Sequence, residues 1–194
     1  MVRNLLKNII LSHYERTFQK EISMSDLCES IRGYRWAFVK MDVPYMPTDF
    51  PKSVPVGKDA DIICLKDDFE MLRSAVRDWC VSVPDKYVTK TIEATYGCRT
   101  RISNVFGILL YQIDLSWATA GMNTCFFEDA IRTRREENGI YMLDDKYEYI
   151  YRMYSFSSDR NKSHHKEYLI KHMRDYDISL AKKYTDISIE DLLG

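Results

Sequence analysis

Between Val88 and Trp117 the chain runs in period two. The segments Val88–Ala94, Cys98–Val105 and Ile108–Trp117 alternate their side chains, as a sheet with two distinct faces requires. Turns are expected at Tyr96-Gly97 and Phe106-Gly107, so the three segments read as a strand meander. Two further strands precede it. Tyr34–Val43 is rich in aromatic and β-branched residues, and Asp59–Leu65 follows a Gly57-Lys58 turn. From Thr124 onward the pattern becomes mostly helical, with helices expected over 125–137, 145–156 and 163–176. Gly139 is expected to stop the first of these, and Ile140–Leu143 reads as a short edge strand. Strands that come early and helices that come late point to an α+β fold, a small mixed or antiparallel sheet flanked by helices with a helical C-terminal part.

The opening 33 residues read as helical packing elements. Leu5, Leu6, Ile9, Ile10, Tyr14 and Phe18 recur at helical spacing over residues 2–20, and a shorter helix follows Ser25 with Gly33 as its stop. The expected organisation is therefore N-terminal helices over 1–33, an α+β core over 34–120 and a helical part over 121–194. Within the core, Pro44, Pro47, Pro51 and Pro55 mark residues 44–56 as a long loop, the kind of segment that often carries function. Asp67 or Asp68 is the expected N-cap of a helix that buries Phe69, Leu72, Val76 and Trp79.

Composition narrows the classes. The chain of 194 residues is 45% hydrophobic and 13% aromatic, enough for one sizeable core and too much for disorder. Its formal net charge of −1 gives no strong nucleic-acid signal. No uncharged run is long enough to span a bilayer, and Asp114 splits the longest pair. Five cysteines at spacings that fit no zinc motif read as reduced, mostly buried thiols, so a cytoplasmic protein is expected.

The residues that carry chemistry are acids inside apolar strands. In Gly57-Lys58-Asp59-Ala60-Asp61, positions two apart share a strand face, so Asp59 and Asp61 present two carboxylates together. Like charges that close repel unless a cation lies between them, and hard oxygen donors suit Mg²⁺ or Mn²⁺. Asp114 interrupts the apolar Leu110–Leu115 segment, where a lone acid is costly unless paired or metal-bound. If its strand lies beside Asp59–Leu65, the three acids form a cage able to hold two metals. The alternative without metal makes Asp59 a turn residue, Asp61 a solvated strand start and Asp114 an exposed acid on an edge strand.

The pattern Gly-x-Asp-x-Asp on one strand with a third Asp on a later strand resembles the nucleotidyltransferase superfamily that includes DNA polymerase beta. More narrowly, Lys58–Ile62, Arg99-Thr100-Arg101 and Gln112–Leu115 look similar to stand-alone nucleotidyltransferase-like proteins of bacterial surface-glycan synthesis. The resemblance covers about two-thirds of the chain. It implies an NTP substrate, an acceptor hydroxyl, Mg²⁺ or Mn²⁺, and Asp59, Asp61 and Asp114 as both metal ligands and catalytic residues. It also implies phosphate contacts from Gly57, Lys58, Arg99 and Arg101. One departure stands out. Active members place Gly-Ser or Gly-Gly after the first strand, whereas here Met41-Asp42-Val43 runs into the proline-rich loop. Backbone amides of Val56-Gly57-Lys58 are the expected substitute. The alternative is a catalytically inactive binding or scaffold protein of the same fold.

Three features attract weaker readings. Arg160–Lys166 is a basic segment at an expected helix N-terminus, where an anion could bind or the charges could simply be solvated. His164, His165 and His172 lack the spacing of a zinc hydrolase. Tyr147, Ile150, Tyr151 and Tyr154 fall at helical spacing and read as core.

Overall fold

A computed structural model describes residues 11–193 except 13, 15, 16 and 176. Seven strands form one mixed sheet: β1 (Trp36–Val39), β2 (Lys58–Cys64), β3 (Tyr87–Ala94), β4 (Gly97–Asn104), β5 (Leu109–Ser116), β6 (Arg135–Glu137) and β7 (Ile140–Met142). Their spatial order is β3-β4-β5-β2-β1-β7-β6. The β2–β5 and β1–β7 pairs are parallel and the rest antiparallel, so the fold is α+β with a mixed sheet. Seven helices are described: α1 (Ser25–Ser30), α2 (Phe69–Val81), α3 (Cys125–Arg132), α4 (Asp145–Ser158), α5 (Ser163–Lys171), α6 (Ile178–Tyr184) and α7 (Ile189–Leu193). Most of the helix expected over residues 2–20 lies outside the described residues, although 17–21 are helical.

Alternation along the strands divides the apolar residues between two cores. Trp36 and Phe38 of β1, Ala60, Ile62 and Cys64 of β2, and Tyr111, Ile113 and Leu115 of β5 face one side. There they meet α1, α2 and the proline-rich loop through Leu27, Leu72, Val76, Phe50 and Val54. Ala37, Val39 and Ile63 face the other side, under Phe126, Phe127 and Ile131 of α3, Tyr147, Ile150 and Tyr151 of α4, and Tyr184 of α6. A third cluster joins α4 to α5 and α7 through Tyr149, Met153, Phe156, Leu169 and Leu192. The helices α3 and α4 thus cover the β1 side of the second face, while Asp59, Asp61, Asp114, Arg99 and Arg101 share that face farther along the sheet.

Several sequence expectations are corrected. The helix expected over 125–137 ends at Arg132, and Arg135–Glu137 instead forms a hairpin with Ile140–Met142. Asn138 and Gly139 both take positive φ (52° and 79°), as a two-residue hairpin turn of the mirror type demands. Gly139 therefore closes a hairpin rather than a helix, and β6, not β7, is the sheet edge. The helix expected to 176 stops at Lys171. The first strand is only Trp36–Val39, because Lys40 turns into the left-handed region at φ 61°. Gly97 belongs to β4 rather than to the turn. A Cβ there would sit 2.1 Å from the Leu115 carbonyl oxygen, so β5 can approach only a glycine. Asp68 caps nothing. Its carboxylate accepts from the Arg35 backbone N–H at 2.8 Å and from the Arg35 guanidinium at 2.8 and 2.9 Å.

Candidate metal centre

The parallel β2–β5 pairing sets Asp61 directly opposite Asp114, with Asp59 one pleat earlier on the same face. Asp59, Asp61 and Asp114 each offer a carboxylate oxygen, all within 4.8 Å of one another. All three are half-buried. Asp114 lies on an interior strand between β4 and β2, so it is not an edge-strand acid. Three carboxylates that close are a donor set of hard oxygens that could hold a metal cation.

Two side-chain cations already stand against the cluster. The Lys40 Nζ lies 2.7 Å from an Asp61 oxygen. Arg99, opposite Asp114 in the β4–β5 register, forks onto it with Nε and Nη2 each 3.0 Å from one oxygen. Burial and the neighbouring Asp59 and Asp114 carboxylates still hold the Asp61 pKa above the usual range, despite Lys40. Burial would lower the Lys40 pKa, but Asp61 and the other nearby acids outweigh it and hold the ammonium charged. Negative charge therefore remains in excess.

Lys40 was not foreseen as a site residue. The sequence signal is a lone charge directly after four buried strand residues. What fixes it is Glu148 of α4, whose carboxylate accepts the Lys40 backbone N–H at 2.8 and 3.1 Å. Glu148 is itself held by Arg152, one turn later, at 2.6 Å. Arg152 is fully buried, donates to the Asp42 carbonyl at 3.1 Å, and packs its guanidinium over Tyr168. A buried ion pair on α4 thus anchors the residue that faces Asp61.

The remaining expected site residues separate. Arg101 shares the face but donates to the Gln112 side chain at 2.8 Å rather than to an acid. Lys58 is exposed, with its ammonium 4.7 Å from the Tyr45 ring centre. The Gly57 amide donates to the Leu110 carbonyl at 2.6 Å and the Lys58 amide to the Pro55 carbonyl at 3.2 Å. Both amides are engaged in starting β2.

Compared with known protein families, curated proteins and solved structures, the chain matches none. The site must be read from its own geometry. The acids lie where two clefts meet. One, of about 450 Å³, is lined by Lys40, Pro44, Tyr45, Lys58, Asp59, Asp61, Lys162, His164 and His165. The other, of about 630 Å³, runs past Asp61 and Asp114 along Arg99, Ser116, Tyr96, Tyr151 and Tyr154. Only Asp61 lines both. A third cavity, of about 420 Å³, lies beyond Glu148 among Phe38, Met46, Phe50 and Tyr168 and touches none of the three aspartates. The five cysteines are unpaired; Cys64, on β2, is buried and its thiol pKa is pushed up by that burial. Among the described residues no helix is long and apolar enough to cross a membrane.

Proposed function

We propose that this chain is a metal-dependent nucleotidyltransferase that moves a nucleoside monophosphate from an NTP to an acceptor hydroxyl, breaking the α–β phosphoanhydride bond and releasing pyrophosphate. The acceptor belongs to a small molecule, a sugar or a protein, with surface-glycan synthesis as the setting suggested by the sequence resemblance. The observation that carries the reading is the convergence of Asp59, Asp61 and Asp114 on two adjoining parallel strands. Bound Mg²⁺ or Mn²⁺ would neutralise the phosphates and acidify the acceptor hydroxyl. Asp59 and Asp61 would hold that metal toward the first cleft, and Asp114 toward the second. Two clefts on either side of one carboxylate row suit a donor and an acceptor that must meet in line. Asp114 is the acid beside the second cleft, and it would take the acceptor's proton once Arg99 releases one oxygen. Arg99 and Lys58 would face phosphate charge. A cytoplasmic setting accords with five unpaired cysteines and with the NTP supply.

A second reading, a binding or scaffold protein of the same fold without turnover, is favoured by a specific observation. Lys40 and Arg99 already partner two of the three acids, and the Gly57 and Lys58 amides are engaged. Isothermal titration of Mg²⁺ with each NTP into wild type and into Asp59→Asn/Asp61→Asn separates the two. Metal-dependent binding of a nucleotide that the double variant loses supports the transferase. Well-folded wild type that binds no nucleotide sinks it.

A further inference from the structure

The basic segment that leads into α5 has no part in the carboxylate cluster, yet it forms one wall of the first cleft. His165 of that helix is only 1% exposed, and neither ring nitrogen has a hydrogen-bond partner. A buried imidazole must donate from one nitrogen and accept at the other, so a fully orphaned ring is costly unless a ligand completes it. The ring also lines the cleft. Around it stand cations. Lys162 caps the helix, Lys58 enters from β2, and both are exposed and without an ion-pair partner among the described residues. Burial above all, with His164, Lys40, Arg152 and Lys162 adding to it, pushes the His165 pKa down to about 2. The ring is neutral and keeps one N–H to donate.

We propose that Lys58, Lys162, His164 and His165 form a binding site for polyphosphate oxyanions, with His165 donating a ring N–H to a phosphate oxygen. The amides of Ser163 and His165 are engaged by the Asn161 and Lys162 carbonyls, so side chains rather than a backbone cradle provide the contacts. The dipole of the nine-residue α5 adds partial positive charge at the same end. Lys40 is neutralised by Asp61, which leaves Lys58 and Lys162 against Asp59 in the cleft, a net positive balance. Naming the triphosphate of an NTP as the occupant rests on the transferase reading; the affinity for inorganic polyphosphate does not. The site also supplies the phosphate contacts that the missing Gly-Ser and the engaged Gly57 turn do not.

The test titrates inorganic tripolyphosphate, and separately orthophosphate, into the full chain with EDTA present. Wild type is expected to bind tripolyphosphate at least about tenfold more tightly than orthophosphate, because several cations engage more than one phosphate. Lys162→Gln, an exposed position that does not threaten folding, should weaken tripolyphosphate about tenfold, and His165→Gln should do the same. Lys166→Gln, on the same helix but outside the cleft, should leave binding unchanged. In long-range ¹H–¹⁵N spectra of wild type, the His165 ring signals should move on addition of tripolyphosphate. No tripolyphosphate binding, equal affinity for orthophosphate, or an unmoved His165 ring overturns the proposal. The Asp59→Asn/Asp61→Asn variant should retain tripolyphosphate binding. Metal-dependent NTP binding that ignores Lys162→Gln and His165→Gln overturns this site and leaves the transferase standing. Tripolyphosphate binding by a wild type that takes up no NTP with Mg²⁺ does the reverse.

Discussion

Glu148→Gln tests whether the buried pair on α4 holds the site together. Glu148 accepts from Arg152 at 2.6 Å and from the Lys40 amide at 2.8 and 3.1 Å, and Arg152 has no exposure at all. Removing one partner of a buried ion pair costs about 3–5 kcal/mol, because the other charge is left in a poorly solvating interior. Glutamine keeps one acceptor oxygen and the Asp42 carbonyl still takes one guanidinium N–H, so the lower end, about 3 kcal/mol, is expected. At roughly 2–4 °C per kcal/mol for a chain of this size, the Tm should fall by about 6–12 °C. With an m-value near 2 kcal/mol/M, the urea midpoint should fall by roughly 1.5 M. The variant Glu148→Gln/Arg152→Met should recover part of that loss, since replacing both partners removes the orphaned charge. Urea unfolding followed by tryptophan fluorescence reads all three proteins. A midpoint shift below about 0.5 M for Glu148→Gln would mean that Arg152 is satisfied without Glu148, and the anchoring of Lys40 would lose its basis.

Two further outcomes follow from the geometry. His165 has a pKa near 2 in the folded chain and an ordinary value once unfolded. The unfolded state therefore binds the extra proton as pH falls below about 6.5, so stability present at neutral pH declines toward pH 5. His165→Gln should flatten that decline in urea midpoints measured across the range, and an unchanged pH slope would show that the ring titrates alike in both states. Gly97→Ala places a Cβ 2.1 Å from the Leu115 carbonyl oxygen, and backbone cannot yield as a side-chain tip can. A loss of about 2 kcal/mol or more in urea unfolding is expected, and a neutral result would mean that β5 does not approach this closely.

The sequence made the sheet legible where one face is apolar. Val88–Ala94, Cys98–Val105 and Ile108–Trp117 correspond to β3, β4 and β5 within a residue or two, although only β4 alternates in burial, while β3 is exposed beyond Tyr87 and β5 is buried along most of its length. Residues 125–137 misled, since helical spacing through Ile131 says nothing about where the helix stops. The signal that should have decided it was Asn138-Gly139, a hairpin turn pair read instead as a helix terminator. The acids were legible for a physical reason: a carboxylate that breaks an apolar strand needs a partner, and pairing β2 with β5 brought all three together. Their present partners were not. Lys40 and Arg99 meet the acids through a left-handed backbone turn and through cross-strand register, neither of which a one-dimensional pattern encodes. In the sequence His165 reads as part of a charge run and as one of three histidines without zinc-hydrolase spacing, and its orphaned ring is a property of packing.

The counter-cations bear on how the two functional readings differ. Asp59, Asp61 and Asp114 bring three negative charges, and Lys40 and Arg99 return two positive ones. Coulombic balance alone leaves room for about one further unit of charge at this spot, whereas a divalent ion brings two. A metal that entered the cage would therefore favour release of at least one of the two side-chain cations. The two differ in how readily they let go. Arg99 forks onto both oxygens of Asp114, a bidentate geometry that is hard to replace, but its side chain is about half exposed (47%) and water can take up the freed guanidinium. Lys40 makes a single ion pair, with the Tyr151 ring 5.9 Å from its ammonium, and is far less exposed (15%), with Glu148 fixing its backbone, so displacement would leave its ammonium in a confined cleft. There the incoming anion matters. Phosphate oxygens in the first cleft would give Lys40 a new partner beside Lys58 and Lys162, so that metal and polyphosphate favour each other's entry. A cage that filled only when both arrived would keep its acids paired in the meantime, so ion pairs of this kind accord with a working site as well as with an inert scaffold.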